Sequence, residues 1–343
     1  MKRSIVSIAL AAGVALWAAA LPAQEAPSAD KRNDQLEQRL NAALVKTSGT
    51  WGVSIKHVER KEFVGVRADE KFQMASVFKV PVLVELFQQV KDGKVSLDER
   101  VEWRNPELYF GSGLLVTLEP GLRPTVRDLA TLMITISDNA ATDLLCAKLG
   151  VANITVRMRA LGLAKTSVDG GTRELILQAL GLRGEAYRNV TTATIRDVPW
   201  DRIADEVAQN RKRFLEECPN CTTPAEMTLL LEKIVTGQAA DKDATDQMLR
   251  ILSRQQFNQR LPRWVPGRFD HKTGTLNAPV WVVNDAGILY LPGGEHVIIS
   301  VFSRGAEQTL TPLALKVAVA NAEERIGEIA KIVYEYYTAQ PRP

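Results

Sequence analysis

The spacing of apolar residues changes twice along this chain, and that change limits the folds that it can adopt. Alternating apolar residues predict two short strands within 49–70 and three more within 271–305. Between them the apolar residues mostly recur at the three-to-four-residue spacing of amphipathic helices. An early hairpin and three late strands most simply form one antiparallel sheet, which the terminal helices cover while the central helices pack as a second lobe.

This pattern predicts an α+β fold, within the broad α/β class, in which an antiparallel sheet is flanked by the terminal helices and joined to an all-helical lobe. We expect one folded domain over 30–343. Its sheet lobe comprises 30–72 and 266–343, and its helical lobe comprises 73–265. The stretch 165–220 predicts little regular structure before its last helix and enlarges the helical lobe.

The first residues have the pattern of a secretory signal peptide. Lys2 and Arg3 precede an apolar core from Ile5 to about Ala20, and small residues and a proline follow. An uncleaved membrane anchor is the alternative, but the apolar run is short for a span. We therefore predict that 1–23 is removed, that no membrane span remains, and that the protein is periplasmic or secreted.

The predicted export would place the three cysteines in an oxidising compartment. Cys218 and Cys221 form a CPNC sequence, which an oxidising compartment allows to close as a disulfide. A zinc site would need further Cys or His residues nearby, and the sequence has none there. Cys146 lies on the apolar face of a predicted helix, so we expect a buried, unreactive thiol.

Charge and composition exclude one class of partner. The formal net charge is +3 over 343 residues, and no basic stripe is interleaved with aromatic residues. We therefore expect no nucleic-acid partner. The sequence has no cluster of metal-ligand residues, so we expect neither metal nor cofactor, and we expect a monomer.

The stretch QMASVFKVPVLVELFQQV places a serine and a lysine three residues apart in an apolar predicted helix. Residues at that spacing share a helix face, so Ser76 and Lys79 can act together. A partly desolvated lysine has a lowered pKa and can take a proton from a serine hydroxyl, which then acts as a nucleophile. The alternative is a lysine that extends to solvent from a helix end.

Two further short motifs could complete a serine-based site. SDN supplies the hydroxyl of Ser137 and the amide of Asn139 at a bend between two helices. HKTGT opens a strand and supplies the charge of Lys272, the hydroxyl of Thr273 and the N–H of Thr275. A nucleophile needs such a proton donor, a cation for an anionic substrate and N–H groups for the developing oxyanion.

With the three motifs in this order on a helix, a bend and a strand, the chain resembles the active-site serine penicillin-recognising enzymes, and class A β-lactamases in particular. GSGLL (111–115), the TVRDLATLMITISDNAAT block, the TTP helix start and NDAGILYLP extend the resemblance over nearly the whole mature chain. It implies a β-lactamase/transpeptidase-like fold. It also implies that a β-lactam or a peptidoglycan-like acyl donor acylates Ser76.

The resemblance also implies a role for each motif residue. Lys79 would be the base, Ser137 would pass a proton to the leaving nitrogen, and Asp138 would orient the loop. Lys272 and Thr273 would hold the substrate carboxylate, joined by Arg304 unless that arginine lies at the surface. The implied catalytic residues are Ser76, Lys79, Ser137 and Lys272, and the implied substrate-binding residues are Asn139, Thr273, Gly274 and Thr275.

The sequence departs from class A at the group that deacylates the enzyme. The family carries a glutamate in an E-x-x-L-N segment, which is absent here. Glu174 and Glu185 are the candidates to replace it, and each could equally be a solvated helix carboxylate. The arginine–aspartate pair that closes the family's loop is also absent, with Gly170 and Asn220 near its places.

Three functions remain open on the sequence. The first is an exported serine β-lactamase-like hydrolase that deacylates by an unusual group. The second is a penicillin-binding peptidase or transpeptidase-like protein with slow deacylation, and the third is a non-catalytic exported binding protein on the same fold. A carboxylesterase is disfavoured, because the KTG motif favours substrates that carry a carboxylate.

Overall fold

The computed structural model describes residues 31–45, 47–305 and 310–340. The predicted signal peptide, 1–23, lies outside these residues. Within the three described ranges, no helix combines the length and the apolar character needed to cross a membrane.

A six-stranded sheet lies at the centre of the molecule, and its strand order is β1-β3-β2-β8-β7-β6. The strands are β1 (Lys31–Arg32), β2 (Thr50–His57), β3 (Glu62–Val66), β6 (Phe269–Leu276), β7 (Val282–Tyr290) and β8 (His296–Arg304), and a separate two-stranded pair consists of β4 (Phe72–Gln73) and β5 (Cys221–Thr222). The predicted hairpin and the three late strands are all antiparallel to their neighbours, which confirms the predicted sheet. The short β1 adds to it in parallel.

The α-helices of the described chain lie on both faces of this sheet. They are α1 (Asp34–Leu44), α2 (Lys79–Lys91), α3 (Val126–Thr135), α4 (Asn139–Leu149), α5 (Val151–Ala160), α6 (Thr172–Ala179), α7 (Ala204–Glu217), α8 (Pro224–Val235), α9 (Lys242–Leu252) and α10 (Pro312–Thr338). One apolar core joins α1 and α10 to the sheet through residues such as Leu36, Val53 and Ile326. A second core joins the other face to the central helices through residues such as Phe302 and Met227. The mixed α/β fold is as predicted, whereas the lobe boundaries stay a prediction.

Local signals fix the ends of several helices. Thr125 and Asp128 form the predicted capping box at the start of α3. Thr223 caps α8, in which Pro224 is the first residue, and Gly150 ends α4 with a positive φ of 76°. Asp138 caps the start of α4, which places the helix–helix bend where the sequence predicted it.

The stretch 165–220 contains more structure than its sequence predicted. Besides α7 it holds α6 and two short 3₁₀ turns. A small apolar cluster fixes this region to the loop that carries Phe110, and its other buried members are Leu177, Leu182, Val198 and Ile203. The region therefore packs against the loop that carries Phe110.

An asparagine closes this stretch where the family's ion pair is missing. Asn220 accepts hydrogen bonds from the N–H groups of Asp169 (2.7 Å) and Gly170 (3.2 Å), and its side chain donates to the Gly170 carbonyl (3.0 Å). Its own N–H donates to the Asp169 carboxylate at 2.8 Å. Hydrogen bonds of Asn220 thus hold the two ends together.

The cysteine predictions are confirmed. Cys218 and Cys221 form a disulfide directly after α7. Cys146 is a buried free thiol, and burial raises its pKa above the ordinary value. A thiol that stays protonated is a poor nucleophile, so Cys146 is a packing residue.

Candidate active site

Ser76 lies in a tight turn rather than on the regular α-helix that its spacing suggested. Ala75–Phe78 is a 3₁₀ turn, and α2 begins only at Lys79. The side chain of Asn284, on β7, donates to the carbonyl groups of Gln73 (2.9 Å) and Met74 (3.0 Å). A side chain from a distant strand thus holds the backbone that enters the turn.

Lys79 is completely buried and bonds to the SDN bend. Its Nζ donates to the Ser137 carbonyl (2.7 Å), to Ser137 Oγ (3.0 Å) and to Asn139 Oδ1 (2.8 Å). Burial lowers its pKa to about 7, and the negative charge of Asp143 opposes that shift. A substantial fraction of this amine is therefore neutral near pH 7 and able to accept a proton.

Lys272 approaches the same hydroxyl from the other side. It is also completely buried, and its Nζ donates to Ser137 Oγ (3.0 Å) and to the Thr273 carbonyl (2.8 Å). Burial lowers its pKa well below the ordinary lysine value, and the charge of Lys79 lowers it further. Because both lone pairs of Ser137 Oγ accept from lysines, its own proton is left to donate elsewhere.

Asp138 holds the SDN bend, as predicted. Its buried carboxylate accepts the N–H groups of Leu114 (2.6 Å) and Leu115 (2.9 Å), and it caps α4 through the Ala141 N–H. Ser137 itself has a φ of 57°, in the left-handed region. These bonds stabilise a conformation that a serine otherwise disfavours.

The three motifs meet at one cleft of about 270 Å³. Its described lining residues are Ser76, Ser112, Ser137, Phe257, Gln259, Arg260, Thr273, Thr275 and Glu323. A Cβ on Gly274 would lie 2.6 Å from the Met74 carbonyl oxygen and 3.1 Å from the Ser76 nitrogen. Strand β6 can therefore lie this close to the Ser76 turn only with glycine at that position.

Arg304 does not line this cleft. It ends β8, where its guanidinium pairs with Glu70 at 3.0 Å and lies 5.4 Å from the centre of the Phe72 ring. The structure therefore does not support Arg304 as a carboxylate ligand, and with 24% of its side chain exposed Arg304 is not a fully exposed surface residue either. His271, next to Lys272, is buried and bonds to Asp285 at 2.9 Å, a structural contact.

The two glutamates considered as deacylating bases differ in their surroundings. Glu185 lies in an exposed 3₁₀ turn, where its side chain is 83% exposed and pairs with Arg188. Glu174 lies in the first turn of α6 and is also exposed, but its charge acts on the carboxylate of Asp143, which α4 carries. Glu174 is therefore the better connected of the two to the site.

Comparison with known proteins agrees with this geometry. The model of the family described as "Beta-lactamase enzyme family" matches residues 35–337. The chain belongs to that β-lactamase family. Accordingly, it is a serine β-lactamase-type hydrolase.

Individual relatives are distant but cover most of the chain. The β-lactamase VEB-1 of Pseudomonas aeruginosa is 24% identical over 324 residues, which are 89% of this chain and 91% of that protein. A solved β-lactamase from Sphaerobacter thermophilus is 26% identical with a TM-score of 0.67 and covers 90% of this chain and 99% of its own. The solved structure of PBP-A is 22% identical with a TM-score of 0.70, covering 91% and 99%, and shares the fold.

Sequence reasoning missed an arginine of this β-lactamase-family site. Arg260 is 5% exposed, and its guanidinium donates to the Gly274 carbonyl (2.9 Å), the Asn284 carbonyl (2.7 Å) and Thr275 Oγ1 (2.6 Å). It also pairs with Glu323 at 3.0 Å. Arg260 lies in an irregular loop, so no periodic pattern indicated that it would reach β6.

Asp143 was also missed, although it lies one helical turn after Asn139. Its carboxylate accepts the N–H groups of Thr172 (2.5 Å) and Arg173 (3.1 Å) and so holds the start of α6 against α4. Burial raises its pKa to about 7. The spacing from the SDN motif was the available signal, but it did not distinguish this residue from an ordinary helix carboxylate.

Proposed function

We propose that this enzyme opens the β-lactam amide through an acyl-enzyme on Ser76. The main support is that two buried lysines, Lys79 and Lys272, both donate to Ser137 Oγ beside the turn that carries Ser76. Burying two lysine side chains around one hydroxyl is costly for stability, and a binding protein would have no chemical need for it. This arrangement disfavours the non-catalytic alternative.

In the proposed acylation, neutral Lys79 takes the proton of Ser76 Oγ while that oxygen bonds to the carbonyl carbon. The carbon–nitrogen bond then breaks, and the nitrogen takes a proton from Ser137 Oγ. The protonated Lys79 restores that proton across its hydrogen bond of 3.0 Å to Ser137. Lys272, Thr273 and the Thr275 hydroxyl hold the carboxylate, and the Thr275 N–H binds the oxyanion. Asn139 binds the acyl amide, and Gly274 lets β6 lie close to the Ser76 turn.

Hydrolysis of the acyl-enzyme requires a base for water, and we propose Glu174 for that role. Water would attack the ester carbon while Glu174 takes its proton. The bond from that carbon to Ser76 Oγ would then break, and the same proton would pass from Glu174 to Ser76 Oγ, which leaves Lys79 neutral for the next cycle. The exposure of Glu174 favours a second candidate function, a penicillin-binding peptidase that acylates and then stalls. A poorly placed base slows such a step by roughly 10²–10⁴.

Substrate class and location complete the proposal. A β-lactam or a peptidoglycan-like acyl donor carries a carboxylate that fits the end of the cleft where Lys272 lies. In support, a variant of PBP-A was solved as its acyl-enzyme with penicillin G. We infer removal of 1–23 and a periplasmic or secreted monomer, on the pattern of the first residues.

Intact-protein mass spectrometry after mixing with penicillin G tests this function. We expect an adduct on Ser76 that appears and then decays as product is released, and no adduct in Ser76→Ala, whose thermal unfolding should match the wild type. An adduct that lasts for hours would support the penicillin-binding alternative. Labelling that persists in Ser76→Ala would refute the assignment of the nucleophile.

A further inference from the structure

Phe257 brings an apolar surface into a polar cleft. Among the described residues that line the cleft, it is the one whose side chain carries no polar group. The residue is 42% exposed. Apolar area is stabilised when it leaves water, so a ligand that covers this ring gains binding free energy.

The residues before Phe257 are held by buried hydrogen bonds of Gln255. Gln255 is 5% exposed, and its amide donates to the Ile134 carbonyl at 2.9 Å, near the end of α3. Its carbonyl oxygen accepts the N–H groups of Gln256 (2.9 Å) and Phe257 (3.0 Å). The backbone of Phe257 is thereby fixed relative to the helix that leads into Ser137.

The residues after Phe257 are held by a second set of hydrogen bonds, to the sheet. The side-chain oxygen Oδ1 of Asn258 lies 3.2 Å from His271 Nε2, and the other ring nitrogen of His271 bonds to Asp285. Asp285 also accepts the Leu261 N–H at 3.1 Å. The segment that carries Phe257 is thus bonded on both sides, to α3 and to the sheet. The Phe257 ring is therefore a preorganised contact surface.

The neighbours of Phe257 indicate which part of a substrate it meets. It lines the cleft with Ser137, Thr273 and Thr275, the groups assigned above to the leaving nitrogen and the carboxylate. Both of these belong to the amine half of a β-lactam. Asn139, assigned to the acyl amide, is not among the described residues that line this cleft with Phe257, and its side chain donates to the Phe110 carbonyl.

We propose that Phe257 determines specificity for the amine half of the substrate, by packing against an apolar or aromatic substituent there. This inference rests on the proposed function. It makes β-lactams whose amine half carries an aromatic group better acyl donors than those with a small group at the same place.

The test compares two cephalosporins with the same acyl side chain. Nitrocefin carries a dinitrostyryl group on its amine half, and its partner carries a methyl group there. The rate of acylation, kcat/KM, is measured for the wild type, Phe257→Ala and Phe257→Leu. We expect Phe257→Ala to lose about tenfold with nitrocefin and less than about twofold with the methyl compound, and Phe257→Leu to recover most of the loss.

The matched control is Trp264→Ala, which removes another exposed aromatic ring, 40% exposed, that does not line the cleft. It should leave the ratio of the two substrates unchanged. An equal loss with both substrates in Phe257→Ala and Phe257→Leu, or no loss in either, would overturn the inference while leaving the proposed function intact. If the wild type forms no Ser76 adduct with either compound, the proposed function fails and this inference fails with it.

Discussion

Replacing Arg260 by lysine tests whether the guanidinium, rather than its charge alone, builds the carboxylate end of the cleft. Arg260 donates to four acceptors, which are two backbone carbonyls, Thr275 Oγ1 and Glu323. A lysine offers one nitrogen with three donors, so at least one acceptor loses its partner. An unsatisfied buried acceptor costs about 1–3 kcal/mol, and the lost charge-assisted geometry adds to that.

We therefore expect Arg260→Lys to lower the free energy of unfolding by about 2–4 kcal/mol, measured by urea denaturation. We also expect kcat/KM to fall about tenfold, which corresponds to about 1.4 kcal/mol of transition-state stabilisation, because the Thr275 hydroxyl loses the donor that orients it. Glu323→Gln is the control, since it keeps an acceptor beside Arg260 and should cost less on both measures. A lysine variant with wild-type stability and kcat/KM would refute this account of the cleft.

Two further predictions concern pH. The pKa of Lys79 is lowered to about 7, and its neutral form is the base, so the rate of acylation should fall about tenfold per pH unit below pH 7. Stopped-flow measurements of acylation from pH 5 to 9 test this. A rate that does not change through pH 6 would contradict the role of Lys79 as the base. His57 is fully buried, and burial lowers its pKa, so the unfolded chain takes up the proton first as pH falls below about 6.5. The contribution of His57 to stability is complete above that pH and decreases below it. The free energy of unfolding, measured by urea denaturation, should therefore decrease less between pH 8 and pH 5 in His57→Phe than in the wild type. Equal decreases in the two proteins would contradict this.

The parts of the fold that could be predicted are those specified by local signals. The capping box of Thr125, the cap at Asp138 and the Thr223–Pro224 start depend on residues a few positions apart. The sheet followed from the apolar strand patterns, and its central strands are buried on both faces. The motif residues were recognisable because their spacing is local, and the fold then brings the three motifs to one cleft.

What could not be predicted depends on contacts between distant segments. The start of α6 is held by Asp143 from α4, so its own sequence predicted it poorly. The backbone that enters the Ser76 turn is held by Asn284 from β7, a contact that no local pattern indicates. Arg260 and Phe257 lie in a loop without periodicity, and they reach the cleft only after that loop has packed on α3 and the sheet.

The place of β2 in the middle of the sheet affects how the chain reaches this structure. Thr50–His57 pairs along its length with His296–Arg304, so the central pairing must wait until nearly the whole chain has been synthesised. Contacts so far apart in sequence carry a loop-closure entropy and slow folding, and until they form β2 has an open edge that other chains can bind. Strands β7 and β6 join the early hairpin only through β8. A chain that ends before β8 would therefore leave the KTG strand detached from the amino-terminal half of the sheet.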